Sequence, residues 1–233
     1  MTKIPAYFNW SGGKDSTLAL HKILEGNEYD VKYLLTTANQ DHQRVAMHGV
    51  RLELMQQQAQ SLGIPLMIIE YSSSATMEEY ENAMSKGIQP ILDEGIRTAV
   101  FGDIFLEDLK EYRINKLKGI GVEAIFPLWG RDTSELISEF IDLGYKTVIV
   151  CTDNSKLDHS FIGETITKEL IDRLPENVDP CGENGEFHTF AFDGPIFEKP
   201  VQFEIGEIVE RKYEGKTADL EEKNWGFLFV DLV

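Results

Sequence analysis

Ser11-Gly12-Gly13-Lys14-Asp15-Ser16 decides the fold. The hexapeptide follows an apolar, aromatic run at residues 4–10 that reads as a strand. It precedes residues 15–25, where Leu18, Ala19, Ile23 and Leu24 recur at helical spacing. A strand that turns through two glycines into a helix leaves free amides beside the positive end of the helix dipole. Glycine also lets the backbone approach a ligand closely. The stretch is therefore an anion cradle, to which Ser11 and Ser16 add hydroxyl donors and Lys14 adds a charge for phosphate oxygens. Asp15 is the odd member. A carboxylate beside an anion site points to a metal ion or a helix cap.

Outward from the loop, strand and helix patterns alternate. Residues 31–37, 66–69, 98–101 and 124–127 read as strands, with helices over residues 49–62, 76–92 and 106–118. Gly87 and Pro90 are expected to break the end of the third helix. Five strands separated by helices imply an open, parallel, doubly wound α/β sheet with right-handed crossovers over residues 1–128. Residues 129–233 have a different texture, expected to form a smaller α+β domain packed on the first. Helices are expected at 133–143 and 163–174, and strands at 146–151, 187–192, 201–205 and 225–232. A loop rich in Pro, Asn, Asp and Gly spans 175–184.

The loop spacing is neither G-x-x-x-x-G-K-[ST] nor G-x-G-x-x-G, so the common P-loop and the dinucleotide fingerprint are both disfavoured. It resembles instead S-G-G-x-D-S, the pyrophosphate-binding PP-loop of the ATP pyrophosphatases, which belong to the adenine nucleotide alpha hydrolase-like (HUP, Rossmann-like) superfamily. That resemblance implies attack of a substrate oxygen on the α-phosphate of ATP, with pyrophosphate leaving. In doubly wound sheets ligands lie beyond the carboxyl ends of the strands. Thr37, the Met47-His48-Gly49 segment and Gly102-Asp103 should reach that region. His48 could contact a phosphate or the adenine edge, or make only local hydrogen bonds. Asp103 could bind a metal or the ribose, or cap the following helix. Arg113 could reach a phosphate or carboxylate, or sit in a surface pair.

The densest polar cluster of the second half is Asp179-Pro180-Cys181-Gly182-Glu183-Asn184-Gly185-Glu186-Phe187-His188-Thr189. Gly182 and Gly185 mark turns. In a strand, Glu186 and His188 would share one face, a plausible acid–base or positioning pair. A hairpin with solvated polar tips is the bland alternative. Nothing near Cys181 lowers its pKa, which argues against a catalytic thiol.

Together, Ser11 to Ser16, Gly102-Asp103-Ile104, Phe161-Ile162-Gly163 and Glu183 to Thr189 resemble the diphthine–ammonia ligase family over nearly the whole chain. The resemblance implies an amide-forming, AMP-producing ligase acting through an acyl-adenylate. ATP would lie on Ser11, Gly12, Gly13, Lys14, Asp15, Ser16, Thr37, His48, Gly102 and Asp103, with Mg²⁺ on Asp15. Arg113, Glu183, Asn184, Glu186 and His188 would hold a substrate carboxylate, on a modified protein side chain or a small molecule. Lys14, Asp103, Glu186 and His188 are the catalytic candidates. Ammonium is the expected nitrogen donor, because no cysteine at position 2 could run an N-terminal glutaminase. The ligases proper tend to read Glu-Gly-Gly-Glu-Phe/Tyr-Glu-Thr where this chain has Asn184 and His188. The Asn/His version resembles a bacterial branch linked to cobalamin salvage. A tRNA-modifying adenylase and a non-catalytic nucleotide sensor are the rival readings.

The formal net charge of the 233 residues is -18, which disfavours general nucleic-acid binding but not ATP. Cys151 and Cys181 are far apart, so neither a disulfide framework nor a cysteine zinc site is expected. No apolar run is long enough to span a membrane, and Met1-Thr2-Lys3-Ile4-Pro5 does not read as a signal peptide. A cytoplasmic location is the expectation. A homodimer is compatible with the sequence, which does not specify the assembly.

Overall fold

The structure, a computed structural model, describes residues 2–45, 48–216 and 222–233. Strand β1 (Ile4–Asn9) is buried at Ala6, Tyr7 and Phe8, as a central strand covered on both faces must be. It pairs in parallel with β2 (Tyr29–Asn39) on one side and β5 (Thr98–Val100) on the other. Beyond β2 lies β4 (Leu66–Tyr71), and beyond β5 lies β6 (Glu123–Ile125), both parallel to their neighbours. These are the five strands expected from the sequence. A short β3 (Arg44–Val45) adds antiparallel to the tip of β2. The chain builds one wing of the sheet first and then crosses β1 to build the other. That reversal opens a crevice at the carboxyl ends of β1 and β5.

Helices α1 (Lys14–Gly26), α2 (Leu52–Leu62), α3 (Met77–Asp93) and α4 (Glu107–Lys118) are the crossovers. Asn27 and Gly63, both left-handed, terminate α1 and α2. Thr76 and Glu79 form a reciprocal capping box at the start of α3. The expected break at Gly87 and Pro90 does not occur, and α3 runs through both. Pro90 falls in the last turn, where its missing N–H removes a single helical bond. Ile88 and Ile91 bury the same stretch, and Gly87 lets it press on Ile69 of β4.

The second half contributes α5 (Thr133–Asp142), β7 (Lys146–Asp153), α6 (Lys168–Ile171), β8 (Phe187–Asp193), β9 (Ile205–Lys216) and β10 (Glu222–Leu232). Its sheet is antiparallel in the order β8-β7-β10-β9. Two expectations are corrected here. The helix read over 163–174 shrinks to the single turn of α6, because the chain before it runs extended along β7. Gly163 takes φ +81°, and bonds from Gly163 N to Ile149 O and from Ile166 N to Thr147 O (both 2.9 Å) hold that run. The strand read over 201–205 gives way to β9, which starts at Ile205. The two sheets share their main core. Ala6 and Phe8 of β1 and Leu20 of α1 pack in one buried cluster with Val148, Ile149 and Phe190 from the second.

Candidate active site

The loop between β1 and α1 has no room for a side chain at its glycines. Gly12 takes φ +78°, and a Cβ there would meet Gln58 Oε1 and Met55 Sδ at 2.8 Å. Gly102, at the end of β5, lies against the start of α1, where a Cβ would sit 2.9 Å from Ser16 N. Ser11 Oγ donates to Ser16 Oγ (3.1 Å), and Ser16 Oγ donates to Gly13 O (2.9 Å), so the two serines share the turn. The second sheet closes over this loop. Thr189 Oγ1 of β8 accepts from Lys14 N (3.0 Å), and Ala191 N donates to Gly12 O (2.8 Å). Gln58 of α2, fully buried, donates to Gly12 O (2.9 Å) and Ala191 O (2.5 Å) and accepts from Trp10 Nε1 (2.9 Å).

The loop 179–186 approaches from the other side. Asp179 accepts from Cys181 N (2.8 Å) and from Thr133 Oγ1 (2.7 Å), which pins the loop to α5. Glu186 lies just before β8 and does not share a strand face with His188 as expected. It is buried and accepts from Asp179 N (3.2 Å), Asn184 N (2.9 Å) and Asn184 Nδ2 (3.1 Å). Its carboxylate is an internal brace of the loop and does not line the cavity described below. Cys181 Sγ donates to Thr133 O (3.3 Å), and burial pushes the thiol well up.

Charge is concentrated and mutually paired. Lys14 is buried, with Nζ 2.7 Å from Asp15 Oδ2, bonded to Cys181 O, and 5.4 Å from the centre of the Phe187 ring. Burial alone would lower its pKa, but Asp15, Cys181 and Glu183 together raise it. Arg113 Nε lies 2.9 Å from Asp103 Oδ2 and stacks its guanidinium 4.4 Å from the centre of Phe101. Asp103 therefore neither caps α4 nor stands free. Burial raises the pKa of Asp103, against the pull of Arg113. Burial, then Asp15, raises Glu183 to about 7, with Asp103 and Asp179 adding to the effect. The Glu183 carboxylate has no hydrogen-bond partner among the described residues. His48 Nδ1 meets Thr189 O at 3.0 Å, and the His48 and His188 ring centres are 4.8 Å apart. Burial first, and Lys14 in addition, lower His48 to about 4 and His188 to about 3.

A cavity of about 800 Å³ opens at this place. It brings together Ser11, Lys14, Asp15, Ser16, Thr37, His48, Gly102, Asp103, Arg113, Glu183, Asn184 and His188, out of both halves. Gly12 and Gly13 do not line it but pack against its surroundings, Gly12 on Gln58 and Met55 and Gly13 on His48 and Thr189, while Met47 lies outside the described residues. Tyr80 and Met84 of α3 and Leu106 and Leu109 add an apolar wall. Sequence reasoning missed Gln58, Thr189 and that wall. Gln58 belongs to Gln56-Gln57-Gln58, which reads as a solvated helix face, and only its complete burial marks it. Among the described residues no group of three or more His, Cys, Asp or Glu side chains is placed to hold a metal ion, and no helix is long and apolar enough to cross a membrane.

Residues 6–123 fit the family model described as the diphthamide synthase N-terminal domain, and residues 132–225 fit the diphthamide synthase C-terminal domain. The chain belongs to the diphthamide synthase family. Diphthine–ammonia ligases are among the relatives of this diphthamide synthase-family chain. That of Homo sapiens is 29% identical over 110 residues, 45% of this chain and 41% of the relative. That of Danio rerio is 27% identical over 166 residues, 65% of each. The chain thus spans well under half of the human relative's length. Among solved structures, the U34-tRNA thiolase NcsA from Methanococcus maripaludis with its [4Fe-4S] cluster superposes with a TM-score of 0.38 at 15% identity, covering 62% of this chain and 59% of that one.

Proposed function

We propose that the chain is an ATP-dependent ligase that forms an amide from a substrate carboxylate and ammonia, releasing AMP and pyrophosphate. One observation carries the reading: the glycine cradle of the first sheet and the Glu183–His188 segment of the second open into a single cavity. Its volume suits a small-molecule site. The Ser11–Ser16 loop would hold the β- and γ-phosphates, with Lys14 offsetting charge on the departing pyrophosphate. Thr37, Gly102 and Asp103 would face the nucleoside. Arg113 and Asn184 would orient the acceptor, and His188, neutral in place of a second glutamate, keeps the cavity less acidic. Glu183 titrates near neutrality and faces the loop, so it can take a proton from incoming ammonium as the nitrogen becomes a nucleophile. Glu186 supports the loop from behind.

Magnesium fits as an ion carried in by the nucleotide. Asp15, Asp103 and Glu183 leave an excess of carboxylate oxygen in the cavity, yet they form no protein-only cage. Asp15 would hold the ion, with phosphate oxygens completing its shell, and the ion would supply charge neutralisation for the polyphosphate. The test is acid-dependent ATP–pyrophosphate exchange over a panel that includes diphthine-bearing protein and cobalamin-related carboxylates, with AMP as the nucleotide product. Formation of ADP, or undiminished exchange in a Lys14→Ala variant, would count against the reading.

A further inference from the structure

The two histidines of the cavity lie on the phosphate side, against the loop. A Cβ on Gly13 would meet His48 Cε1 and Thr189 O at 3.1 Å, so the imidazole edge already touches the backbone that forms the cradle. Because Thr189 O can only accept, His48 carries its proton on Nδ1. Its Nε2 is then a bare lone pair. His188 stands next to it, with a buried Nε2 that has no partner among the described residues. A phosphate oxygen is an acceptor as well. It can bond the bare Nε2 of His48 only after that nitrogen gains a proton.

The charges around the rings favour that gain. A polyphosphate brings three or four negative charges, and the fixed cations of the cavity are already engaged. Lys14 faces Asp15 and the Cys181 carbonyl, Arg113 faces Asp103, and Glu183 adds a further carboxylate. Lys14 of α1 is the charged group that acts on both rings, and His48, from the segment before α2, acts on His188 of β8. Without an anion, burial and Lys14 keep both rings neutral. An anion in the loop reverses the local field, and the imidazoles are the neutral cavity groups that can turn positive near neutral pH. Two rings 4.8 Å apart would repel if both were charged, which limits the pair to one proton.

Resting on the ATP reading above, we propose that His48 and His188 form an imidazole pair that takes one proton from solvent when a polyphosphate enters the loop, and donates it as a hydrogen bond to a phosphate oxygen. Departure of pyrophosphate returns the proton to solvent. Polyphosphate binding is thereby linked to pH, with a weakening of up to about tenfold per pH unit as pH rises.

The experiment is ¹⁵N NMR of the imidazole rings in the full chain at pH 7, with and without saturating inorganic pyrophosphate. Without ligand, His48 is expected as the Nδ1–H tautomer and both rings as neutral. With pyrophosphate, one imidazolium is expected, shared over the two rings. A second measurement compares pyrophosphate affinity from pH 6 to 8 in the wild type and in a His48→Gln/His188→Gln variant, which reports the titration of pyrophosphate itself. The wild type should lose up to about tenfold more per pH unit than the variant. Tight pyrophosphate binding with both rings still neutral overturns the proposal and leaves the ATP reading intact. Failure of pyrophosphate to bind overturns both.

Discussion

Gly102 meets backbone, and backbone cannot step aside. With Ser16 N, Ser16 Cα and Asp15 C all within 3.1 Å of a would-be Cβ, Gly102→Ala must push the end of β5 away from the start of α1. We expect a loss of about 1–3 kcal/mol from overpacking, and a larger proportional loss of ATP-dependent activity, because the displaced atoms form the cradle. Urea titration and pyrophosphate exchange on the same variant check both parts, and a variant of unchanged stability would contradict the contact. This residue was legible in the sequence, as were Gly12 and Lys14, because a motif demands them at fixed places. Glu183 was legible as a polar cluster member but not as a titrating group, since its shift comes from burial and from Asp15, remote in sequence. A carboxyl whose folded pKa lies near 7 holds its proton where the unfolded chain has lost it. Its contribution is therefore full below about 4.5 and is lost as pH rises through about 7. Glu183→Gln should thus equal the wild type in stability at pH 4 and exceed it above pH 7, by on the order of 2 kcal/mol. Unfolding curves at pH 4, 6 and 8 that stay parallel would exclude this.

At the scale of elements, the first sheet was readable because each of its strands is an apolar run bounded by turn residues. The second half was less so. Strand β9 bonds to β10 and forms the sheet edge, so its sequence, Ile205-Gly206-Glu207-Ile208-Val209-Glu210-Arg211-Lys212, is charged and only partly apolar. The stretch before α6 misled in the opposite direction: Phe161, Ile162, Ile166 and Leu170 are buried at spacings that also suit a helix, but 163–166 lies extended along β7. Helix α3 shows a third case, where tertiary packing of Ile88 and Ile91 carries the helix through a proline. Pro90 is therefore a local cost in a helix fixed by its neighbours. Pro90→Ala restores one backbone bond to an otherwise unchanged helix and should raise stability by about 1 kcal/mol, less than the interior value because the site lies in the last turn. Differential scanning calorimetry reads this as a higher Tm, and a lower Tm would mean that the proline ring packs usefully.

At the scale of the whole molecule, the cavity exists only because two sheets are held in register, and the hydrogen bonds that hold them cross at the loop itself. Gln58 joins α2, the Gly12 carbonyl and β8 in one buried set, Ser61 on the next turn donates to Lys199 O (2.5 Å), and Arg44 and Arg51 both clasp Asp231 of β10. The ion pairs are partly exposed and contribute about 1 kcal/mol or less each. The shared core and the Gln58 bonds carry more. We therefore expect the chain to unfold in a single transition, with calorimetric and van't Hoff enthalpies equal, although its sheets are of two kinds. Gln58→Ala should lower stability by about 2–4 kcal/mol, through a cavity and through the stranded Trp10 N–H and Ala191 carbonyl. Gln58→Leu separates the causes, because it fills the volume and leaves the polar groups unpaired. If the bonds matter more than the packing, the leucine variant recovers less than half of the loss and its Ala191 amide exchanges faster with solvent. Two separate transitions in the wild type, or full recovery by leucine, would show that the halves merely touch, and that the loop keeps its shape without help from the second sheet.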